Sequence, residues 1–512
     1  MKYLIVFLLS LSFTLSVQAQ NRRQSNRGGS ELNSALRLVR SGRPLEASAK
    51  LFNLAQNPAY KRQNPQIRYI LGMMLAKMQL RQLAAFQFIS VINSRNKKYL
   101  PKSLEKLYLI ADDLGDDTLL NYALSKVTLR TFPRAQKNML YFRIGESQIS
   151  AGKFKEGIKS LRNVSSNSDQ FYKAKYLEGL AMAELGRPDR AVRVFSAIVS
   201  ARSKTAANDP IKAAARSGLA RAYYQDKKWN DAIKNYVKIP KDSPLWHEII
   251  FELGWSYLRA GKFRSALSQF QTLHSSFYED FYQPESLILR SIVYLYICRY
   301  DEMGKVLDKF VEVYKPAHKQ VKAYLASNPG EVSTFNQVQS ALADYRKSKG
   351  KNKGKNTKLP FLIVRKLGWD KQYVKSANYI KNVEDEIRLL QSLPAAYQKS
   401  GVGQYGLNVL KTRISKAKKS SGKKLLEKLN DIQIEIFNLM EQEGFARYEM
   451  INSNRKILKQ KISGNYVEDQ NVDKKRSRSF YVKNGYEYWP FQGENWIDEL
   501  GNYHYLGGSR CQ

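Results

Sequence analysis

Four histidines are the first place to look for chemistry in this 512-residue chain: His247, His274, His318 and His504. "HEIIF" at 247–251 begins as a zinc-protease helix begins, but Phe251 stands where the second histidine should be. A metal held there would be one protein ligand short. The run "YRKSKGKNKGKNTK" (345–358) has the lysines and glycines of a phosphate loop without the G-x-x-x-x-G-K-[ST] spacing that cradles phosphate. No Gly-x-Ser-x-Gly elbow and no Cys-x-x-Cys pair occurs. The expectation is therefore a protein that is no enzyme, with no catalytic residue, no metal and no cofactor.

Charge points to binding instead. Lys and Arg number 85 against 45 Asp and Glu, a formal net charge of +40. Such an excess selects anionic partners: nucleic acid, acidic glycans, lipid headgroups or acidic proteins. The N-terminus narrows the choice. Lys2, the short apolar run Leu4 to Leu15 and Val17-Gln18-Ala19 have the order of a cleaved secretory signal peptide over 1–19. Export argues against nucleic acid. No Cys follows the run, so no lipoprotein anchor is expected, and no later stretch of 18 residues lacks charge, so no transmembrane span is expected either. The expected location is periplasmic or outer-membrane-associated. A flexible basic stretch, 20–30, follows.

The elements that would position a binding surface come from a repeat. In "FELGWSYLRAGKFRSALSQF" (251–270), small Gly254 and Ala266 alternate with large Tyr257 and Phe270 around the breaker Gly261. Two short helices joined by a glycine turn fit, with the small residues at their crossing. The frame recurs with Ala47, Ala84, Leu120, Gly157, Ala191, Ala232, Ala266 and Met303 at one position. Four residues later stand Leu51, Phe88, Leu124, Leu161, Phe195, Tyr236, Phe270 and Leu307, all large. Five residues earlier stand Gly42, Gly115, Gly152, Gly186 and Gly261, where a helix should end in a left-handed residue; Gln79, Lys227 and Cys298 depart from that rule.

This pattern resembles the tetratricopeptide repeat, in eight units over 31–316. The resemblance implies an all-α chain: a TPR-like right-handed α-solenoid whose first helices line a concave groove for peptides or partner proteins. Tyr176, Arg221, Tyr224, Phe251, Trp255, Arg259 and Tyr296 lie on first helices away from the crossing, and aromatic residues with arginine suit partner anchoring. The bland alternative is that several of them pack between adjacent repeats.

Beyond the array, 317–358 reads as a helix and a Lys-rich linker. Over 359–461, stripes through Trp369, Tyr373, Ile380, Ile387 and Leu390, and through Leu425, Leu429, Ile432, Ile436 and Leu439, predict a coiled-coil-like helical hairpin turning near Gly401 to Gly406. Residues 462–512 form a polar link and an aromatic, acidic tail. An exposed aromatic cluster is disfavoured in water, so Trp489, Phe491 and Trp496 are expected to dock on the chain's own helices. A Cys298–Cys511 disulfide would fit that docking in an oxidising compartment.

Taken whole, the chain also resembles a family of exported repeat proteins of gliding and predatory bacteria, envelope components associated with adventurous gliding motility. The array, "LPFLIVRKLGWD" (359–370) and "YWPFQGENWIDELG" (488–501) carry that resemblance. It implies an envelope scaffold that binds envelope proteins or peptides through the repeat groove. The alternative is a protein that binds cell-wall glycan or anionic lipid through its basic surface.

Overall fold

A computed structural model describes residues 31–114, 117–126, 137–201, 210–351, 353, 357–463, 500–503 and 505. The described residues contain helices and turns and no strand, so the fold is all-α, a TPR-like solenoid followed by further helices. Eight helix pairs run in order: 31–40 with Pro44–Gln56, Asn64–Lys77 with Arg81–Asn93, Leu100–Leu114 with Asp117–Lys126, and Lys137–Ser150 with Phe154–Leu161; then Phe171–Glu184 with Pro188–Ser200, Pro210–Gln225 with Trp229–Tyr236, Trp246–Arg259 with Phe263–Leu273, and Pro284–Tyr296 with Tyr300–Ala326.

The small and large positions of the repeat meet as the pattern requires. A Cβ added to Gly72, Gly179 or Gly254 would lie 2.8, 2.6 or 2.8 Å from the ring of Phe88, Phe195 or Phe270, four residues past the second small position of the same unit. Leu161 fills the same place under Gly145. Ala47, Ala84, Ala191, Ala232 and Ala266 are wholly buried at the other side of the crossing. These are knobs seated in glycine-floored holes, and close-packed interiors leave no room for a methyl group there.

The turn between the helices of a pair is set by backbone rather than by residue type. Gly42, Gly152, Gly186 and Gly261 have φ of +70, +73, +68 and +71°. The three residues that break the glycine rule adopt the same left-handed conformation: Gln79 at +63°, Lys227 at +59° and Cys298 at +51°. In every one of these seven turns the following N–H donates to a carbonyl five residues back, as in Lys262 to Tyr257 at 2.9 Å and Lys228 to Tyr223 at 2.9 Å. That is the six-to-one bond of a Schellman cap. A methyl at Gly261 would meet no atom within 4 Å, so Gly261→Ala isolates the backbone cost. Urea unfolding should show a loss of about 1–2 kcal/mol, and Gly261→Val should lose more, because a β-branched side chain resists positive φ.

After the repeats the chain departs from the expected plan in two places. The second helix of the eighth pair runs through Pro316 to Ala326 instead of ending there. The hairpin turn falls at Leu393–Ser400, around the short helix Ala395–Gln398, and Gly401 to Gly406 begin a 62-residue helix, Gly401–Ile462. The glycines that suggested a turn serve close packing. A Cβ on Gly403 would lie 2.2 Å from the Tyr397 carbonyl oxygen, and one on Gly406 would lie 2.7 Å from Leu83. Trp369 leaves its expected stripe and sits exposed between helices, beside Asp370, whose carboxylate accepts from the N–H groups of Gln372 and Tyr373 and caps Lys371–Ser392.

The described chain forms two compact units. The first comprises the described parts of Met1–Lys137 with Gly330–Asn336 and Trp369–Lys424. There the early repeats are held by late helices: Ser48 Oγ lies 2.9 Å from Tyr397 Oη, the Phe52 and Tyr405 rings are 5.3 Å apart, and Glu386 accepts from the backbone N–H groups of Gln82 and Leu83 at 2.8 and 3.1 Å. The second unit comprises the described parts of Asn138–Pro329, Gln337–Gly368 and Leu425–Gln512. In it Arg447 donates to Asp308 at 2.9 Å, and Gln433 Nε2 lies 3.0 Å from His318 Nε2. In the Lys-rich run, Lys353 pairs with Glu279 at 2.8 Å and Asp280 at 3.0 Å.

Candidate protein-binding surface of the late repeats

The first helices of repeats five to eight carry the seven groove residues, and the structure joins five of them into three small assemblies. Arg221 makes a forked bond to Glu252, at 2.6 to 3.0 Å, and lies 3.6 Å from Glu248. Tyr236 Oη donates to the same Glu252 at 2.8 Å. Burial works against the Arg221 charge, and Glu252 overcomes it, so the guanidinium sits above its ordinary value. Burial, reinforced by Glu252, raises the Tyr236 phenol as well. Tyr176 faces this group with its ring 5.8 Å from Phe195, and burial raises its pKa.

The second assembly holds Tyr224 and Arg259. The Tyr224 and Trp229 rings meet edge to face at 4.8 Å, and the Arg259 guanidinium lies 5.4 Å above Trp229. Burial raises the Tyr224 phenol, and the hydrogen-bonded Arg259 opposes that rise. In the third, Tyr296, 61 % exposed, stacks on Phe263 at 5.3 Å with planes 11° apart. Phe251 and Trp255 stand half-buried one turn apart on Trp246–Arg259.

Chemically, this surface offers rings more than charge. The fork of Arg221 is occupied by a carboxylate of the next repeat, which leaves less of it for an acidic ligand than a bare arginine would give. Glu248, Glu252, Trp229, Tyr236 and Phe263 were not among the sequence candidates. The acidic pair had a signal: Glu252 lies 31 residues after Arg221, so both fall on first helices of adjacent units.

Two of the described histidines pack within the late repeats. Arg290 donates to His274 Nδ1 at 3.1 Å, so the buried ring is neutral and donates from Nε2 to Ser286 Oγ at 2.8 Å. Burial holds it well below the ordinary value. His247 lies against the Phe281 ring at 4.7 Å, and His504 lies outside the described residues. Among the described residues no group of three His, Cys, Asp or Glu could hold a metal ion, and no helix is long and apolar enough to cross a membrane.

Part of the C-terminal tail reaches the same repeats. Lys241 donates to the Leu500 carbonyl at 3.2 Å and to Asn502 Oδ1 at 2.9 Å. The Gly501 and Tyr505 N–H groups donate to Thr272 and Ser268 hydroxyls, both at 3.1 Å, and the Tyr505 ring lies 6.1 Å from that of Tyr294. A Cβ at Gly501 would come within 3.0 Å of Trp246. Trp489, Phe491, Trp496 and Cys511 lie outside the described residues. Cys298 lies in the eighth turn, and its expected bond to Cys511 falls outside the described residues.

Residues 142–206 match the tetratricopeptide repeat family. The matched segment holds the crossings of the fourth and fifth pairs, with Gly145 over Leu161 and Gly179 over Phe195. No curated protein sequence matches the chain. Among solved structures with tetratricopeptide-like folds, MamA of AMB-1 is 19% identical over 34% of this chain and 91% of its own, with a TM-score of 0.28. A tetratricopeptide repeat protein from Parabacteroides merdae is 14% identical over 56% of this chain and 92% of its own, at 0.24. A Rap protein complexed with competence and sporulation factor is 10% identical over 77% of this chain and 99% of its own, at 0.30.

Proposed function

We propose that this protein is a non-catalytic tetratricopeptide scaffold of the bacterial cell envelope. It captures a partner protein or peptide on the first helices of repeats five to eight, within an assembly that serves surface motility. The supporting observation is the set of rings on those helices: Tyr176 and Tyr224 pack on Phe195 and Trp229 of their own units, Tyr296 stacks on Phe263 of the preceding unit, and Trp255 stands half-buried beside them. Rigid aromatic anchors lose little entropy on binding, and this is where interfaces concentrate their energy. The export signal and the wider family resemblance supply the envelope and motility parts of the reading.

Trp255→Ala with Tyr296→Ala should abolish capture of envelope protein by the immobilised chain and leave its helical circular dichroism unchanged. Capture by the parent protein should persist at high salt, since apolar contacts are not screened. Binding that vanishes with salt and ignores these two substitutions would instead establish the charge-driven glycan or lipid reading.

A further inference from the structure

The second unit contains a surface that the repeat fold does not use. Along Gly401–Ile462, one face is buried through Ile432, Ile436, Leu439 and Ala446. A second apolar face is largely open to solvent: Ile434, Phe437 (whose ring lies 6.2 Å from that of His318), Phe445, Tyr448, Ile451, Leu458 and Ile462. Phe445 is 73 % exposed, Tyr448 62 % and Ile451 58 %. From Ile434 to Ile462 this stripe is about 42 Å long at helical rise. Soluble chains rarely leave so many large apolar side chains uncovered along one face.

The charges within the stripe select its occupant. Its apolar run is interrupted twice, by exposed Glu441 and exposed Arg455. Laid antiparallel on a second copy of itself about Tyr448, the stripe is self-complementary. Ile434 meets Ile462, Phe437 meets the turn of Leu458, Phe445 meets Ile451, and Tyr448 meets its own copy. The same register sets each Glu441 against the Arg455 of the other chain. A parallel pairing would oppose Glu441 to Glu441 and Arg455 to Arg455, which interfaces avoid. Two-fold symmetry requires a patch that complements itself, and this one does so in both shape class and charge. We infer that the protein is a homodimer, joined by antiparallel pairing of residues 434–462 of two copies.

Sedimentation of the full chain at micromolar concentration should therefore give a dimer. Glu441→Arg alone, and Arg455→Glu alone, should each weaken it on the order of 100-fold, because two like-charge contacts replace two ion pairs. The double variant Glu441→Arg, Arg455→Glu should restore the dimer. Both positions are exposed, so these changes leave the fold intact, and circular dichroism checks this. Tyr448→Cys should form a disulfide between chains on mild oxidation. A monomeric parent protein, or a double variant that stays as weak as the single ones, overturns the inference. So does a monomer that binds phosphatidylglycerol vesicles through Phe445 and Ile451, since lipid would then be the occupant.

Discussion

Phe195→Ala should be among the most damaging single substitutions in the chain, at about 3–5 kcal/mol by urea unfolding. The ring is buried between two glycines of different repeats. A Cβ on Gly179 would stand 2.6 Å from it, and one on Gly218 of the next repeat 2.7 Å. Removing the ring thus empties a crossing within repeat five and a contact to repeat six together. In an array, stability propagates between neighbours, so hydrogen exchange should speed up first over residues 171–236. Gly218→Ala tests the same place from the other side. It should cost about 1–3 kcal/mol through overpacking, and less when combined with Phe195→Leu, since a smaller side chain gives the methyl room. Additive losses in that double variant would disprove the shared cavity.

The second large effect is expected at Glu386, and it should depend on pH. Its carboxylate is buried and caps the start of helix Arg81–Asn93, accepting from Gln82 and Leu83. Burial drives its pKa up to about 7, and the two backbone donors only partly offset this. The folded state therefore holds the proton more tightly than the unfolded chain does. The stabilising contribution is complete below the unfolded pKa and is lost as pH rises through about 7, up to ~3 kcal/mol in all. Chemical denaturation between pH 4.5 and 7.5 should show stability falling, and Glu386→Gln should flatten that slope. Glu386→Ala removes the acceptor altogether. It leaves two buried N–H groups without a partner, at about 1–3 kcal/mol each, and should be the worse variant at every pH.

The repeats were legible because their rules are local. Gly179 and Phe195 lie in one unit, and the spacing between them alone announces the crossing. At Gln79, Lys227 and Cys298 the residue types broke the turn rule while the backbone kept it: the Schellman bonds specify a left-handed residue, and glycine is only its cheapest occupant. The late helices were harder to read. Gly403 and Gly406 carry a turn's composition, but their work is close approach to partners outside the helix, Leu83 among them. Glu386 as a cap was invisible, because its donors lie about 300 residues earlier. The candidate surface was half legible. Ring positions followed from helix register, whereas the commitment of Arg221 to Glu252 required the packing of two units against each other.

Those long separations also have a consequence in time. The bond between Gln82 and Glu386 spans 304 residues, and that between Ser48 and Tyr397 spans 349. A ribosome adding about 5–20 residues per second needs roughly 15–60 s to cross the first of these gaps. For that interval the first two repeats exist as nascent chain with an uncapped helix start and bare apolar surface. Their folding cannot be completed by their immediate neighbours, and a holding factor present during synthesis has a defined window in which to act.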